Sequence, residues 1–112
     1  MSIKMRQEAI SGFPLLIIEG RIDANAVVVM ESKLSEFLSK GEKKILIDLG
    51  QVAYLSSTGM RLLLSVSKQL KEREGELMLY ALKDEVHEII KMAGFEKILS
   101  IYPSKKAVIA TL

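Results

Sequence analysis

Polar and apolar residues alternate at the start of the chain: Ile3, Met5 and Ala9 are interleaved with Lys4, Arg6 and Glu8. A period of two predicts a strand with one buried and one wet face. Ser11-Gly12 is a turn signal. The unbroken apolar run Leu15-Leu16-Ile17-Ile18 predicts a second strand covered on both faces. Two strands joined by so short a turn pair antiparallel. From Val27 the period changes. Val27, Met30, Leu34, Phe37 and Leu38 recur at helical spacing, with Glu31, Lys33, Glu36 and Lys40 mostly opposite. Asp23 or Asn25 supplies the cap, because its side-chain oxygen can accept an orphan N–H of the first turn. Gly41 stops this helix by tolerating a left-handed backbone.

Ile45-Leu46-Ile47-Asp48-Leu49 predicts a third, central strand. A second helix is predicted from about Thr58 to Glu74, with Met60, Leu63, Leu64, Ser67 and Leu70 inward and Lys68, Lys71, Glu72 and Arg73 outward. Gly75 ends it, and Leu77 to Ala81 is a fourth strand. Val86, Ile89, Ile90 and Ala93 mark a third helix stopped at Gly94. A short apolar piece follows around Ile98 to Ile101, and Ser104 caps a last helix. The order β-β-α-β-α-β-α-(β)-α predicts an α/β fold: a mixed, mostly parallel sheet of about 4–5 strands with about four helices. No linker, repeat or low-complexity tract divides residues 1–112, so a single domain is expected.

Composition narrows the function classes. At 112 residues, 49% hydrophobic and 27% charged, the chain is globular rather than disordered. The absence of cysteine excludes a disulfide framework, a thiolate zinc site, an iron–sulfur cluster and a cysteine nucleophile, and fits a reducing compartment. A net charge of +2, with 5% aromatics and no tryptophan, offers neither a nucleic-acid field nor a base-stacking platform. The start Met-Ser-Ile-Lys-Met-Arg is not a signal peptide. The apolar runs fall far short of the ~20 residues that span a bilayer. A soluble, cytoplasmic protein with no membrane or direct nucleic-acid partner is expected.

The chemistry-bearing residues are few. His87 is the only histidine and stands one position past Val86, off the apolar stripe. With no second histidine and no cysteine, neither a triad nor a zinc site can be assembled, so no catalytic residue, metal or cofactor is expected. Lys43, Lys44, Lys68, Lys71 and Arg73 read as solvated ends of elements. Met5, Met30, Met78 and Met92 read as core. In open α/β sheets, function sits where strands end and helices begin. Two such ends stand out: Gly20-Arg21-Ile22-Asp23, and the stretch from Asp48 through Ser56-Ser57-Thr58-Gly59. Three successive hydroxyls stand where a helix starts, although one cap needs only one of them. They are either a cap and turn alone or a modifiable site, since a phosphate there would add about −1.5 to −2 charge and three acceptor oxygens. Asp23 and Asp48, both read as following strands, could alternatively form an aspartyl-phosphate receiver with Lys83; that arrangement wants two adjacent acids, and Asp23 is alone.

Gly20-Arg21-Ile22-Asp23, Ile47-Asp48-Leu49 and Tyr54-Leu55-Ser56-Ser57-Thr58-Gly59-Met60 together resemble the anti-sigma factor antagonists of the STAS domain family. The resemblance covers nearly the whole chain. It implies a non-enzymatic binding switch. The unmodified protein would bind an anti-sigma factor that is also a serine kinase and release the sigma factor; a serine phosphatase would reset the phosphorylated form. Matched position by position, the phospho-acceptor is Ser57, with Ser56 as the alternate. Ser56 stands where the family usually has aspartate, Thr58 on the second hydroxyl and Gly59 on the glycine. Asp23, Ser56, Thr58, Gly59, Met60 and Arg61 are expected on the docking face, Met60 as an adaptable contact and Arg61 as a rim charge. Gly20 and Asp48 are expected to shape the turns. The alternative under the same resemblance is a solo STAS subunit of another regulatory or transporter assembly, without phospho-switching.

Overall fold

The computed structural model describes residues 3–112; Met1 and Ser2, the head of the segment read as no signal peptide, lie outside them. The elements are β1 (Ile3–Ile10), β2 (Phe13–Ile22), α1 (Ala24–Ser39), β3 (Lys44–Leu55), α2 (Ser57–Glu72), β4 (Glu76–Tyr80), α3 (Asp84–Met92), β5 (Ser100–Tyr102) and α4 (Lys105–Ile109). The sheet has the order β1-β2-β3-β4-β5, antiparallel at β1–β2 and parallel elsewhere. Ser11 (φ 53°) and Gly12 (φ 83°) join β1 to β2. Two consecutive left-handed residues make the turn whose twist matches that of paired strands.

Each face of the sheet has its own core. On the helix side, Leu16, Ile18, Ile22, Ile45, Ile47, Leu49, Val52, Leu55, Leu77 and Leu79 meet the apolar stripes of α1, α2 and α3. On the other side, Leu15, Leu46, Met78 and Tyr80 pack with Val108 of α4. Leu15, Leu16 and Ile18 are fully buried, as a strand covered on both faces requires. Ile17 is only half-buried, because α4 has five residues and packs on β4 and β5.

The third strand runs 12 residues, to Leu55, where the sequence pattern predicts an end at Leu49 and a loop beyond. Its pairing with β2 slips twice. Ile17 pairs with Asp48 but Glu19 with Gln51, and Gly20 pairs with Val52 but Arg21 with Tyr54. Each slip inserts one extra residue on β3, the signature of a β-bulge. The bulges reset the phase, so Ile45, Ile47, Leu49, Val52 and Leu55 all reach the same core despite their uneven spacing. The first bulge is stapled by Asp48, whose Oδ1 accepts the Gly50 N–H at 2.9 Å.

Two methionine assignments are reversed. Met60 is 4% exposed and belongs to the core, whereas Met92 is 79% exposed at the end of α3. Two of the cations read as solvated also hold elements together. Arg73 donates to the Leu38 carbonyl at 2.7 Å, tying the end of α2 to the end of α1, and Lys71 donates to the Ile98 carbonyl at 3.0 Å. His87 Nε2 lies 2.8 Å from Glu96 Oε2, linking α3 to the segment after it.

Two tyrosines make the fold sensitive to alkali. Burial pushes the Tyr80 phenol up to about 12, with the nearby Asp48 and Glu8 carboxylates adding to it. Burial, and donation to Glu76 Oε2 at 2.6 Å, push Tyr102 up to about 12 as well. A phenol held neutral in the fold but ionising near its ordinary value when unfolded stabilises fully below that value and loses the contribution as pH rises. Urea midpoints are therefore expected to fall between about pH 10 and 12. The Tyr80→Phe/Tyr102→Phe chain should show a flatter profile there; an equally steep one would refute the assignment.

Candidate functional site

Strands β2 and β3 end side by side, with Ile22 opposite Leu55, and the Ser56 N–H donates to the Ile22 carbonyl at 2.9 Å. Each strand then turns directly into a helix. Asp23 caps α1, its Oδ1 accepting the Ala26 N–H at 2.9 Å. Ser56 caps α2, its Oγ accepting the Gly59 N–H at 3.0 Å. A cap of this kind contributes about 1 kcal/mol, and Ser and Asp perform it equally well. Ser56 can thus stand in the place of an aspartate without altering the turn.

The three hydroxyls now have different situations. Ser56 is half-buried and its Oγ is engaged in the cap. Ser57 is the first residue of α2, exposed, and its hydroxyl has no hydrogen-bond partner among the described residues. Thr58 is likewise exposed. The first turn of α2 contains no acidic residue, so the positive end of its dipole faces these hydroxyls uncompensated. Arg61, one turn on from Ser57, is exposed and has no ion-pair partner among the described residues.

Gly59 and Met60, expected on the docking face, point the other way. Both lie on the buried stripe of α2 with Leu62, Leu63, Val66, Ser67 and Leu70. A Cβ on Gly59 would sit 2.7 Å from Ile22 Cγ2 and 2.9 Å from Leu55 Cδ1. This glycine therefore lets α2 approach the ends of β2 and β3 closely. The outward surface consists of Ser57, Thr58 and Arg61, with Asp23 and Ser56 half-buried beside them. Gly20, at φ 117°, lies at the second bulge of the β2–β3 pairing. Beside it, the Arg21 guanidinium stacks over the Tyr54 ring, 4.4 Å from its centroid. No sequence pattern announces that pair, because the bulge sets which residues face each other.

Asp48 does not reach the Ser57 turn. It lies mid-strand, opposite Ile17, five β2 residues before Ile22, or roughly 16 Å along the strand. Its hydrogen bond shapes the bulge instead. Asp23 and Asp48 are therefore not brought together as a receiver would require. Among the described residues, no group of three His, Cys, Asp or Glu side chains could hold a metal ion, and no helix is long and apolar enough to cross a membrane. A surface hollow of about 470 Å³ lies along the later turns of α2 between Leu64, Lys68, Lys71 and Ile98, away from the hydroxyls. The site is a projecting turn, a shape that suits contact with a protein surface.

Known proteins share this fold. The STAS domain family matches residues 4–108. BtrV of Bordetella bronchiseptica is 33% identical, over 96% of this chain and 93% of its own. The anti-sigma-B factor antagonist of Listeria monocytogenes is 29% identical, over 77% of this chain and 75% of its own. An anti-sigma factor antagonist from Mycobacterium paratuberculosis superposes with a TM-score of 0.89 at 22% identity, covering 98% of this chain and 93% of that one. SpoIIAA, an anti-sigma factor antagonist, superposes in its unphosphorylated form at 0.81 (16% identity; 96% of each chain) and in its phosphorylated form at 0.75 (16%; 97% and 100%). Anti-sigma factor antagonists of the STAS type are regulators rather than enzymes. With its five-stranded mixed sheet, the match over residues 4–108 and these relatives, the chain belongs to the STAS domain family, among the anti-sigma factor antagonists.

Proposed function

We propose that this antagonist is a phosphorylation-controlled binding switch whose acceptor is Ser57. The observation that carries the reading is the division of labour at the turn: Ser56 Oγ is held in the cap at 3.0 Å, while the neighbouring Ser57 hydroxyl is exposed and unbonded. A kinase can reach Ser57 without disturbing the fold, whereas modifying Ser56 would displace the cap. That SpoIIAA exists in phosphorylated and unphosphorylated forms on the same fold supports the reading.

In the unmodified state the turn is compact and neutral at Ser57, and it docks on an anti-sigma factor that is also a serine kinase, releasing the sigma factor. Transfer of a phosphoryl group from ATP to Ser57 Oγ places a dianion at the start of α2, where the helix dipole tolerates it. The penalty falls on the complex. A dianion buried against a surface shaped for a hydroxyl costs several kcal/mol unless a cation answers it. About 5.5 kcal/mol swings an equilibrium from 99:1 to 1:99, so one phosphate is of the right size. A serine phosphatase restores the binding form, and the whole cycle runs in the cytoplasm. Protein incubated with its kinase and ATP is expected to gain one phosphate, located on Ser57 by peptide mapping. Phosphate on Ser56 alone, or a stable partner complex with no phosphate at all, would overturn the reading; the latter outcome would favour a constitutive STAS subunit.

A further inference from the structure

The open edge of the sheet is the least explained surface of the molecule. β1 is an edge strand of eight residues, paired with β2 in unbroken register, with no proline and no bulge. Natural edge strands are usually shortened, kinked, covered or charged, because they present unpaired backbone groups; of these devices β1 carries only its charges, Lys4, Arg6 and Glu8. The two-residue turn at Ser11-Gly12 fixes which groups those are. Ile10 and Phe13, flanking it, exchange hydrogen bonds, and the pattern repeats at every second pair along the antiparallel ladder. Glu8, Arg6 and Lys4 therefore bond inward to Leu15, Ile17 and Glu19. Ile3, Met5, Gln7 and Ala9 direct their N–H and C=O groups outward.

Lys4, Arg6 and Glu8 share one face of this edge and are all exposed. Their signs select one antiparallel self-pairing. A two-fold axis at Met5 sets Lys4 against Arg6 of the second copy. An axis at Arg6 sets Arg6 against itself at the centre, offsetting the two Lys4–Glu8 pairs it makes on either side, and one at Glu8 sets Glu8 against itself. Each of these places like charges directly opposite, which destabilises. An axis at Gln7 sets Arg6 opposite Glu8 of the second copy, twice, with Met5 opposite Ala9 and Gln7 against Gln7. That register also aligns the outward backbone groups of Met5, Gln7 and Ala9 for bonding. The Arg6–Glu8 ion pair within the chain, at 3.6 Å and largely exposed, is loose enough to exchange partners.

From these observations we infer that β1 pairs antiparallel with β1 of a second copy, centred on Gln7, joining two sheets into one of ten strands. Ser57 follows β3, two strands in from this edge, so the dimer leaves the turn accessible and the inference stands apart from the phospho-switch. One such ladder covers less than the roughly 1,200 Å² at which stable interfaces begin. Dissociation is therefore expected between about 10 μM and 1 mM.

Sedimentation of the full chain across that range tests it. The wild type should dimerise. Arg6→Glu should raise the dissociation constant by about tenfold or more, since two opposite-charge pairs become like-charge pairs. The double change Arg6→Glu/Glu8→Arg should restore the wild-type value. Gln7→Pro, which removes an outward N–H that the fold does not use, should be monomeric with its circular dichroism retained. A chain monomeric at every concentration, or a dimer indifferent to Arg6→Glu, would overturn the inference. Ser57→Ala should dimerise as the wild type does, which separates this result from any failure of the switch.

Discussion

Ser57→Asp is expected to weaken binding to the anti-sigma partner by about 30- to 1,000-fold, equivalent to ~2–4 kcal/mol, while leaving the fold at least as stable. The two halves of this expectation come from different links of the chain. At the helix, a carboxylate enters the first turn of α2, which has no acid of its own, and should add about 0.3–1 kcal/mol of stability through the dipole. At the interface, the same charge is desolvated against a surface that accepts a hydroxyl. Titration calorimetry reads the loss of binding and a thermal melt reads the gain in stability. Ser57→Ala should bind as the wild type does and be insensitive to kinase and ATP. Undiminished affinity of Ser57→Asp would sink the electrostatic gate. A lowered melting temperature would show that the charge acts on the scaffold.

Gly75→Ala should cost about 3 kcal/mol or more, a large share of the ~5–15 kcal/mol that stabilises a domain. Gly75 joins α2 to β4, and a Cβ there would lie 1.9 Å from the Lys43 carbonyl oxygen and 2.8 Å from its carbon. Those atoms are backbone and cannot swing aside. The same carbonyl accepts the Glu76 N–H at 2.8 Å, the first bond of the β3–β4 ladder, while the Gly75 N–H closes the helix onto Leu70 at 2.7 Å. The added methyl therefore breaks a strand pairing as well as crowding a turn. The left-handed residue at this corner is Glu74 (φ 61°), so Gly75 is required for close approach rather than for backbone freedom. Gly59→Ala should cost less, since Ile22 Cγ2 and Leu55 Cδ1 are side-chain tips that can shift. Urea denaturation of the two variants checks both the size and the order. A loss under about 1 kcal/mol at Gly75 would contradict the geometry.

Much of the architecture was legible because local signals and tertiary packing agree. The alternation in β1, the apolar run in β2, the caps Asp23 and Ser104, and the turn at Ser11-Gly12 all serve the elements they announce. The second half of β3 was not legible, because its two bulges break the period of two at Gly50 and Ala53. The same bulges hid the stacking of Arg21 on Tyr54 and placed Asp48 mid-strand. At the site, the hydroxyl cluster and its helix start could be read from residue types alone. Which hydroxyl caps could not, because Ser56 and Ser57 differ only by a rotation of about 100° around the helix. The same rotation decides that Met60 faces inward and Arg61 outward.

Strand order along the sheet follows strand order along the chain without exception. During synthesis, no segment has to wait for a distant one or wedge itself between two partners already joined. Each newly emerged strand adds to the growing margin, and closing a short loop is entropically cheaper than closing a long one. The serine-bearing corner needs β2, β3 and α2, all encoded before residue 73, so its framework can form while the last third of the polypeptide is still being made.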